Sequence, residues 1–291
     1  MRNQLEIVFW NVQHGHSTYI KTPNNRHIVV DLGTGTLSGD KIFSPLRHLR
    51  DISSVSCLDL VIITHPHGDH IDDISNFNLL SPKVLVRPKH IKSETLLKST
   101  NNAKEKELLA KYSEINDRYN RTIAKESPYY IYNPDNWGGL KINCFSPKNS
   151  AESNINNHSI VTLFEFEKIK VLIPGDNESP SWNELKEDSD FIERTKDIDI
   201  LLAPHHGRDS GFDSEIVKSF NPRLTVISDG PQQSTSNTNG YSNLSRGLDI
   251  YKSDGTMENR KCLTTRTDGI IKINIGIDLN GRKCLYVKKS M

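Results

Sequence analysis

"IITHPHGDHIDD" (residues 62–73) places three imidazoles and a carboxylate, His65, His67, Asp69 and His70, directly behind an apolar run. A strand ending here projects the alternate residues His65 and His67 to one side of an extended turn. Asp69 and His70 then open the next helix and face a second position close by. Imidazole and carboxylate on one loop suit zinc, manganese or iron, and they supply parts of two adjacent ligand shells. Two further apolar runs end in the same manner. "VLIPGDNE" brings Asp176 to a strand end after a Pro-Gly turn, and "ILLAPHHGRDSG" brings His205 and His206 to another. Strands that finish this way hand their ligands to a shared mouth at one sheet edge.

The rest of the chain supports such an edge. Val- and Ile-rich runs recur with short turns between them, among them "LEIVFWNV", "RHIVVDLG", "KVLVRP", "RLTVISDG" and "KCLYVKK", and they read as strands. Helical patterning lies between them. "SPLRHLRDIS" has Ser44 as N-cap and Pro45 at the first helical position. "DHIDDISNFNLL", "SPSWNELKEDSDFIERT" and "DSEIVKSFN" are amphipathic. "SIVTLFEFEKIKVLIPGD" and "IIKINIGIDLNGRKCLYVKK" read as hairpins, the second closed by a two-residue Asn280-Gly281 turn. The expected class is α/β (α+β): two mixed sheets packed together and flanked by helices.

At 291 residues the chain is long enough for a substantial core, and one catalytic domain over 1–291 is expected. Lys plus Arg (37) nearly balances Asp plus Glu (36), which excludes a globally basic nucleic-acid binder and leaves only a local patch for that role. No apolar stretch approaches the ~20 residues of a membrane span, and the N-terminus lacks a signal-peptide layout. A cytoplasmic protein without a membrane segment is expected. Cys57, Cys144, Cys262 and Cys284 form no C-x-x-C pair, so neither a zinc ribbon nor a disulfide scaffold is indicated.

Residues 91–127 form a helical, Lys-rich stretch poor in large apolar residues. From Lys83 to Glu126 there are eleven Lys/Arg against six Asp/Glu. This reads either as a solvated helical face or as a basic flank beside the active site. Tyr129, Tyr130, Tyr132 and Trp137 follow, as strand-core aromatics or as stacking platforms for bases.

Taken together, "THPHGDH", "PGDNE" and "APHHG" resemble the metallo-β-lactamase superfamily, and with "FWNVQHGHSTYI", "VVDLG", "NNHSIVTLFEF" and "TTRTDGIIKI" they are similar to its ComEC/Rec2-like hydrolase branch. The marks cover residues 5 to about 275. The resemblance implies an αββα metallo-β-lactamase-type sandwich with metals at one edge of the two sheets, binding Zn2+ or Mn2+, one or two per chain. It further implies His65, His67 and Asp176 as ligands of a first site, with His205 as its imidazole from "PHHG" and His206 as the alternative. Asp69 and His70 would belong to a second site, with Asp176 bridging.

The chain departs from that pattern in two places. Relatives carry a late histidine where Asn243 stands here, and an amide oxygen is a weaker ligand for a transition metal than imidazole. The second site is then low-affinity, completed by substrate, or empty. At the start, His14 and His16 replace an acidic pattern and could lie near the metals. His158 in "NNHS" either substitutes for the lost imidazole, protonates a leaving group, or satisfies a backbone group in its turn. Asn157 and Asn243 are substrate-orienting candidates, and Asp31 a support behind a ligand histidine. His27, His48 and His90 read as surface or helix residues. The glycine-rich "DLGTGTLSGD" lacks a phosphate-loop layout.

The activity implied is metal-dependent hydrolysis by a metal-bound hydroxide, with nucleic acid as substrate, Asp69 orienting water, and His206 or His158 as acid. Two alternatives stand beside it. One is a small-molecule ester hydrolase acting on phosphocholine esters, lactones or thioesters. The other is a binding or effector module whose second metal site is completed by a partner protein or by homo-oligomerisation.

Overall fold

The computed structural model describes residues 2–36, 41–148, 154–230 and 235–291. Of the glycine-rich stretch 31–40, positions 37–40 lie outside the described residues. The strands, in chain order, are β1 (Arg2–Phe9), β2 (Thr18–Lys21), β3 (His27–Val30), β4 (Gly35–Thr36), β5 (Ile42–Phe43), β6 (Leu60–Ile62), β7 (Val84–Val86), β8 (Lys141–Phe145), β9 (Val161–Phe166), β10 (Ile169–Ile173), β11 (Ile200–Leu202), β12 (Leu224–Ile227), β13 (Leu248–Tyr251), β14 (Met257–Arg260), β15 (Cys262–Thr264), β16 (Ile271–Ile277) and β17 (Lys283–Lys289). The helices are α1 (Pro45–Asp51), α2 (Gly68–Ile71), α3 (Ser93–Lys98), α4 (Ala103–Arg118), α5 (Ser179–Lys186), α6 (Ser189–Arg194), α7 (Ser214–Phe220), α8 (Thr238–Leu244) and α9 (Thr265–Asp268).

Two large mixed sheets face each other. One has nine strands in the order β14-β13-β17-β16-β1-β2-β3-β6-β7, and the other has six in the order β15-β12-β11-β10-β9-β8. Strand alternation sorts their side chains into layers. Ile28, Val30, Leu60 and Ile62 of the first sheet join Phe164, Val171, Ile173, Leu202 and Val226 of the second in one buried cluster between the sheets. Their neighbours Val29 and Val61 turn outward, where Leu46 and Leu49 of α1, Ile71 of α2 and Leu109 of α4 cover them. On the outer face of the second sheet, Trp182 of α5, Phe191 of α6, Phe220 of α7 and Tyr241 of α8 pack over Leu163, Leu172 and Leu201. The layering is therefore helix, sheet, sheet, helix.

Strand direction positions the site. β3, β6 and β7 run parallel to one another, as do β10, β11 and β12. The ends of β6 and β10 meet at a common edge, where Ile160 N donates to Thr64 O at 3.0 Å and Gly175, with φ +63, approaches Thr64 and Ser159 so closely that a Cβ would fall 2.9 Å and 2.7 Å from theirs.

Local expectations are refined in five places. Ser44 does cap α1, accepting from Arg47 N, and its Oγ also donates to the buried Asp73. "DHIDDISNFNLL" is not one helix; it divides into α2 and a 3-10 segment Ile74–Leu79. "SPSWNELKEDSDFIERT" breaks into α5 and α6 because Asp188 accepts from Asp190 N and Phe191 N, starting a new helix. The β16–β17 hairpin turns on three residues rather than two: Asp278 N donates to Arg282 O, leaving Leu279, Asn280 and Gly281 between, with Gly281 at φ +78. The Lys-rich stretch also hides an apolar stripe, since α4 buries Leu108, Leu109, Tyr112 and Ile115 at helical spacing.

Residues 119–140 connect α4 to β8, and Trp137 within them is fully buried in the layer between the sheets, its indole N–H donating to Tyr130 O. Replacing it by alanine removes that plug from both sheets at once. Trp137→Ala is expected to cost about 3–5 kcal/mol in urea unfolding, whereas Leu279→Ala, at an 86% exposed position, should stay within about 0.5 kcal/mol.

Candidate metal centre

The edge where β6, β10 and β11 end gathers five imidazole and carboxylate side chains around Asp176. His65 Nε2 lies 3.2 Å from His67 Nδ1 and 3.9 Å from Asp176 Oδ2. At the same carboxylate, His70 Nε2 lies 3.2 Å from Asp176 Oδ1 and 3.3 Å from His206 Nε2. His206 Nε2 is in turn 3.3 Å from Asp176 Oδ2 and 3.2 Å from Asp69 Oδ2. Two pairs of ring nitrogens thus face each other nearly in contact, Asp176 reaches a member of each pair, and the His65 and His70 ring centres lie 4.2 Å apart. Such convergence is costly unless a proton or another cation sits between the nitrogens.

The local chain explains how each group is aimed. His205 and His206 both adopt left-handed backbone, φ +48 and +53, and Gly207 follows at φ +73. Two successive non-glycine residues in this region cost about 1–3 kcal/mol each. The turn is held by His205 N donating to Gly175 O, and it swings the neighbouring imidazoles to different sides. Behind His70 stands Asp31, itself at φ +58 and fully buried. Its Oδ2 accepts from His70 Nδ1 at 2.8 Å, His16 Nδ1 at 3.0 Å and Thr64 Oγ1 at 2.8 Å, while Oδ1 accepts from Thr64 N at 2.7 Å. With Nδ1 bonded there, His70 presents Nε2 to Asp176.

Electrostatics follow from this crowding. Burial pulls the His65 imidazole well below its ordinary range, and the adjacent His70 deepens the shift. Burial opposes charge on His70 as well, but Asp176 and Asp31 outweigh it and hold that imidazole protonated well above its ordinary value. In the same contest His206 is pushed up to about 9, chiefly by Asp176 and Asp69. For Asp31, Asp69 and Asp176 burial acts upward, yet the facing imidazoles keep all three carboxyls below the usual carboxylate range. The buried carboxylates thus favour the protonated forms of His70 and His206, and mixed nitrogen and oxygen donors around them fit a divalent cation such as zinc or manganese. His65, His70 and Asp176 form one group of donor atoms within 4.8 Å of one another, and Asp69, His70 and His206 form another.

The expected residues fall into place unequally. His65, His67, Asp69, His70 and Asp176 come together as described. Of the histidine pair, His206 is the one that meets Asp69 and His70. His205 turns toward the flank, with Nδ1 3.0 Å from Glu178 Oε1 and 2.8 Å from Ser210 Oγ, and Nε2 4.0 Å from Asp176 Oδ2. His14 sits half-exposed at the rim, Nε2 3.5 Å from Asp69 Oδ2 and accepting from Arg208 at 3.1 Å. His16 is committed to Asp31 and Thr18. His158 is buried and shares a 2.8 Å hydrogen bond with His90, a partner that spacing alone does not suggest. The Asn157 carboxamide oxygen accepts from Glu178 N and Ser181 Oγ at the start of α5, so it serves that helix. Asn243 is exposed on α8, and the second donor group assembles around His206 without it. Glu178 was not singled out in the sequence; its signal was its place two residues after Asp176.

No family profile matches the chain. Over 94 residues it is 31% identical to recombination protein 2 of Haemophilus influenzae, a stretch that takes in 32% of this chain, and the chain covers 11% of that relative's length. Among solved structures it is similar to a Thermotoga maritima protein provisionally assigned as a zinc-dependent hydrolase of the metallo-β-lactamase superfamily (14% identity, 89% of this chain and 97% of that one, TM-score 0.40). It is also similar to the long form of RNase Z from yeast (12% identity, 80% and 38%, TM-score 0.41). At these scores the likenesses carry no argument about activity.

Two outcomes are expected. Asp31→Ala leaves two buried imidazoles without their shared acceptor and should cost about 3–5 kcal/mol in denaturant unfolding. In chelator-treated protein, the raised pKa values of His70 and His206 contribute stability that is complete below their ordinary value of 6.5 and is lost as pH rises through about 9. Melting temperature in chelator should therefore fall between about pH 7 and pH 10; a flat profile would show that these imidazoles hold no protons.

Proposed function

We propose that the chain is a metal-dependent hydrolase that cleaves phosphodiester bonds, with nucleic acid as its substrate class. The observation that carries the reading is the pair of overlapping donor groups at one sheet edge, His65, His70 and Asp176 and, sharing His70, Asp69 and His206. His65, His67 and Asp176 would hold one ion, and Asp69, His70, His206 and Asp176 a second. Of the adjacent pair it is His206 whose ring turns inward, and it joins Asp69 and His70 in the second set rather than the first, where the resemblance put the imidazole of "PHHG". A divalent ion in such a set supplies Lewis acidity and makes hydroxide available near neutral pH.

The chain's own side chains account for the rest of the chemistry. Asp69 has 27% of its side chain exposed and reaches the mouth of the cluster beside His14, where it can accept a hydrogen bond from an attacking water and orient it. His205 is braced at Nδ1 by Glu178 and Ser210 and burial lowers its pKa, so the neutral ring presents an Nε2 lone pair that can accept a hydrogen bond from a bound water. Arg208, hydrogen-bonded to His14, brings a cation to the same rim, where it can neutralise a phosphate oxygen. His158 stays with His90 behind this rim and is assigned no proton transfer. Because the second donor group does not need Asn243, a module waiting for a partner to complete it has less to recommend it.

The test uses bis(p-nitrophenyl) phosphate and labelled DNA and RNA oligonucleotides with protein loaded with Zn2+ or Mn2+. His67→Ala and Asp176→Asn should each lower the rate by at least about a hundredfold, chelation should abolish turnover, and re-addition of metal should restore it. Equal turnover by wild type and both variants would mean that the activity belongs to a contaminant.

A further inference from the structure

β7 is the outermost strand of the nine-stranded sheet, and its free side is not an open template for strand pairing. Leu85 O accepts from Arg87 Nη1, and Pro82 O accepts from the Tyr119 hydroxyl. Along this blunted edge run two adjoining hollows of about 530 Å³ and 270 Å³, which share Val84, Leu85, Arg121 and Ile123 as lining. Lys83, Arg118 and Arg121 line the first, and Arg121 and Lys89 the second, with Asp117 the one acidic residue in either lining. Among the described residues, Lys83, Lys89 and Arg121 are exposed and form no ion pair, while Arg118 donates to the neutral Asn78. Unpaired cations in a row attract a polyanion. Tyr130 and Tyr132 line the second hollow as well, with Tyr132 51% exposed, and aromatic faces beside backbone-neutralising cations are the combination that holds unpaired bases.

The cleft leads to the metal edge. Between Lys83 and Lys89 the chain passes through β7, which runs parallel to β6, the strand that leads into His65. Beyond Lys89, His90 bonds to His158, and the neighbouring Ser159 Oγ accepts from Asp176 N at 3.0 Å. We propose that the cleft beside β7 is a track for a single strand of nucleic acid, gripping phosphates with Lys83, Lys89, Arg118 and Arg121 and bases with Tyr130 and Tyr132, and feeding the strand to the edge at Asp176. The proposal rests on the phosphodiesterase reading of that edge and names the form of its polymer.

Binding is read without metal, so it is separate from hydrolysis. Fluorescence anisotropy of a labelled 15-nucleotide single-stranded oligonucleotide is measured with chelator-treated full-length protein. Lys83→Glu/Arg121→Glu should weaken binding at least tenfold and flatten the slope of log K against log salt by about 0.7 per lost phosphate contact. Tyr132→Ala should weaken binding severalfold with the salt slope unchanged, and Lys196→Glu, on the outer side of the second sheet, should leave affinity within about twofold. Circular dichroism confirms the fold of each variant. The track is overturned if Lys83→Glu/Arg121→Glu binds as wild type does, if a duplex of equal length binds more tightly, or if an acidic peptide displaces the oligonucleotide at equal charge. Failure of metal-loaded wild type to hydrolyse bis(p-nitrophenyl) phosphate would instead overturn the hydrolase reading and leave the track standing.

Discussion

One buried carboxylate organises the edge on which everything else depends. Asp31 lies just past β3, in a left-handed backbone conformation, and receives four hydrogen bonds from three residues, His16, Thr64 and His70. Thr64, which it binds through both backbone and hydroxyl, is the residue before the first histidine of "HPHGDH". His70, which it binds through Nδ1, is the last. The loop between them is therefore pinned at both ends by the same side chain, and His65, His67 and Asp69 inherit their directions from that anchoring. His16 adds β2 to the same knot. A carboxylate so deeply buried would be costly alone; here two imidazoles and a threonine satisfy it.

Charge is what couples this anchor to the mouth of the site. Asp31, His70, Asp176, His206 and Asp69 alternate in sign along a continuous chain of contacts. Each carboxylate faces an imidazole whose pKa it raises, and the same mixed donors can hold a divalent cation. The left-handed turn at His205 and His206 belongs to the same economy of forces: its backbone strain persists because it sets one ring among the carboxylates and the other beside Glu178.

Much of the architecture could be read from local pattern. Alternating Val/Ile runs marked the strands, Ser44 and Pro45 marked the start of α1, and three polar strand ends marked one edge. Other features could not be read this way because their causes lie far apart in the chain. Asp188 interrupts one amphipathic stretch by capping a new helix. The Lys-rich segment looked solvated because its apolar residues are few, yet Leu108, Leu109, Tyr112 and Ile115 all fall on one face. His90 seemed isolated until the fold brought it to His158, and Asn157 turned out to be occupied with the start of α5.

Residue types and their spacing indicated the chemistry: imidazoles and carboxylates gathered at strand ends can hold a divalent cation, and a period of two with short turns commits the chain to sheets. Which neighbour points inward was beyond that reading. His205 and His206 are adjacent and chemically identical, and the choice between them is made by a backbone turn closed against Gly175, some thirty residues earlier. The same holds for Asn243, whose place on exposed α8 follows from packing of Tyr241 beneath it. Spacing fixes which groups are available, but direction is set by backbone conformation and by contacts between distant segments, and those exist only once the two sheets have closed on each other.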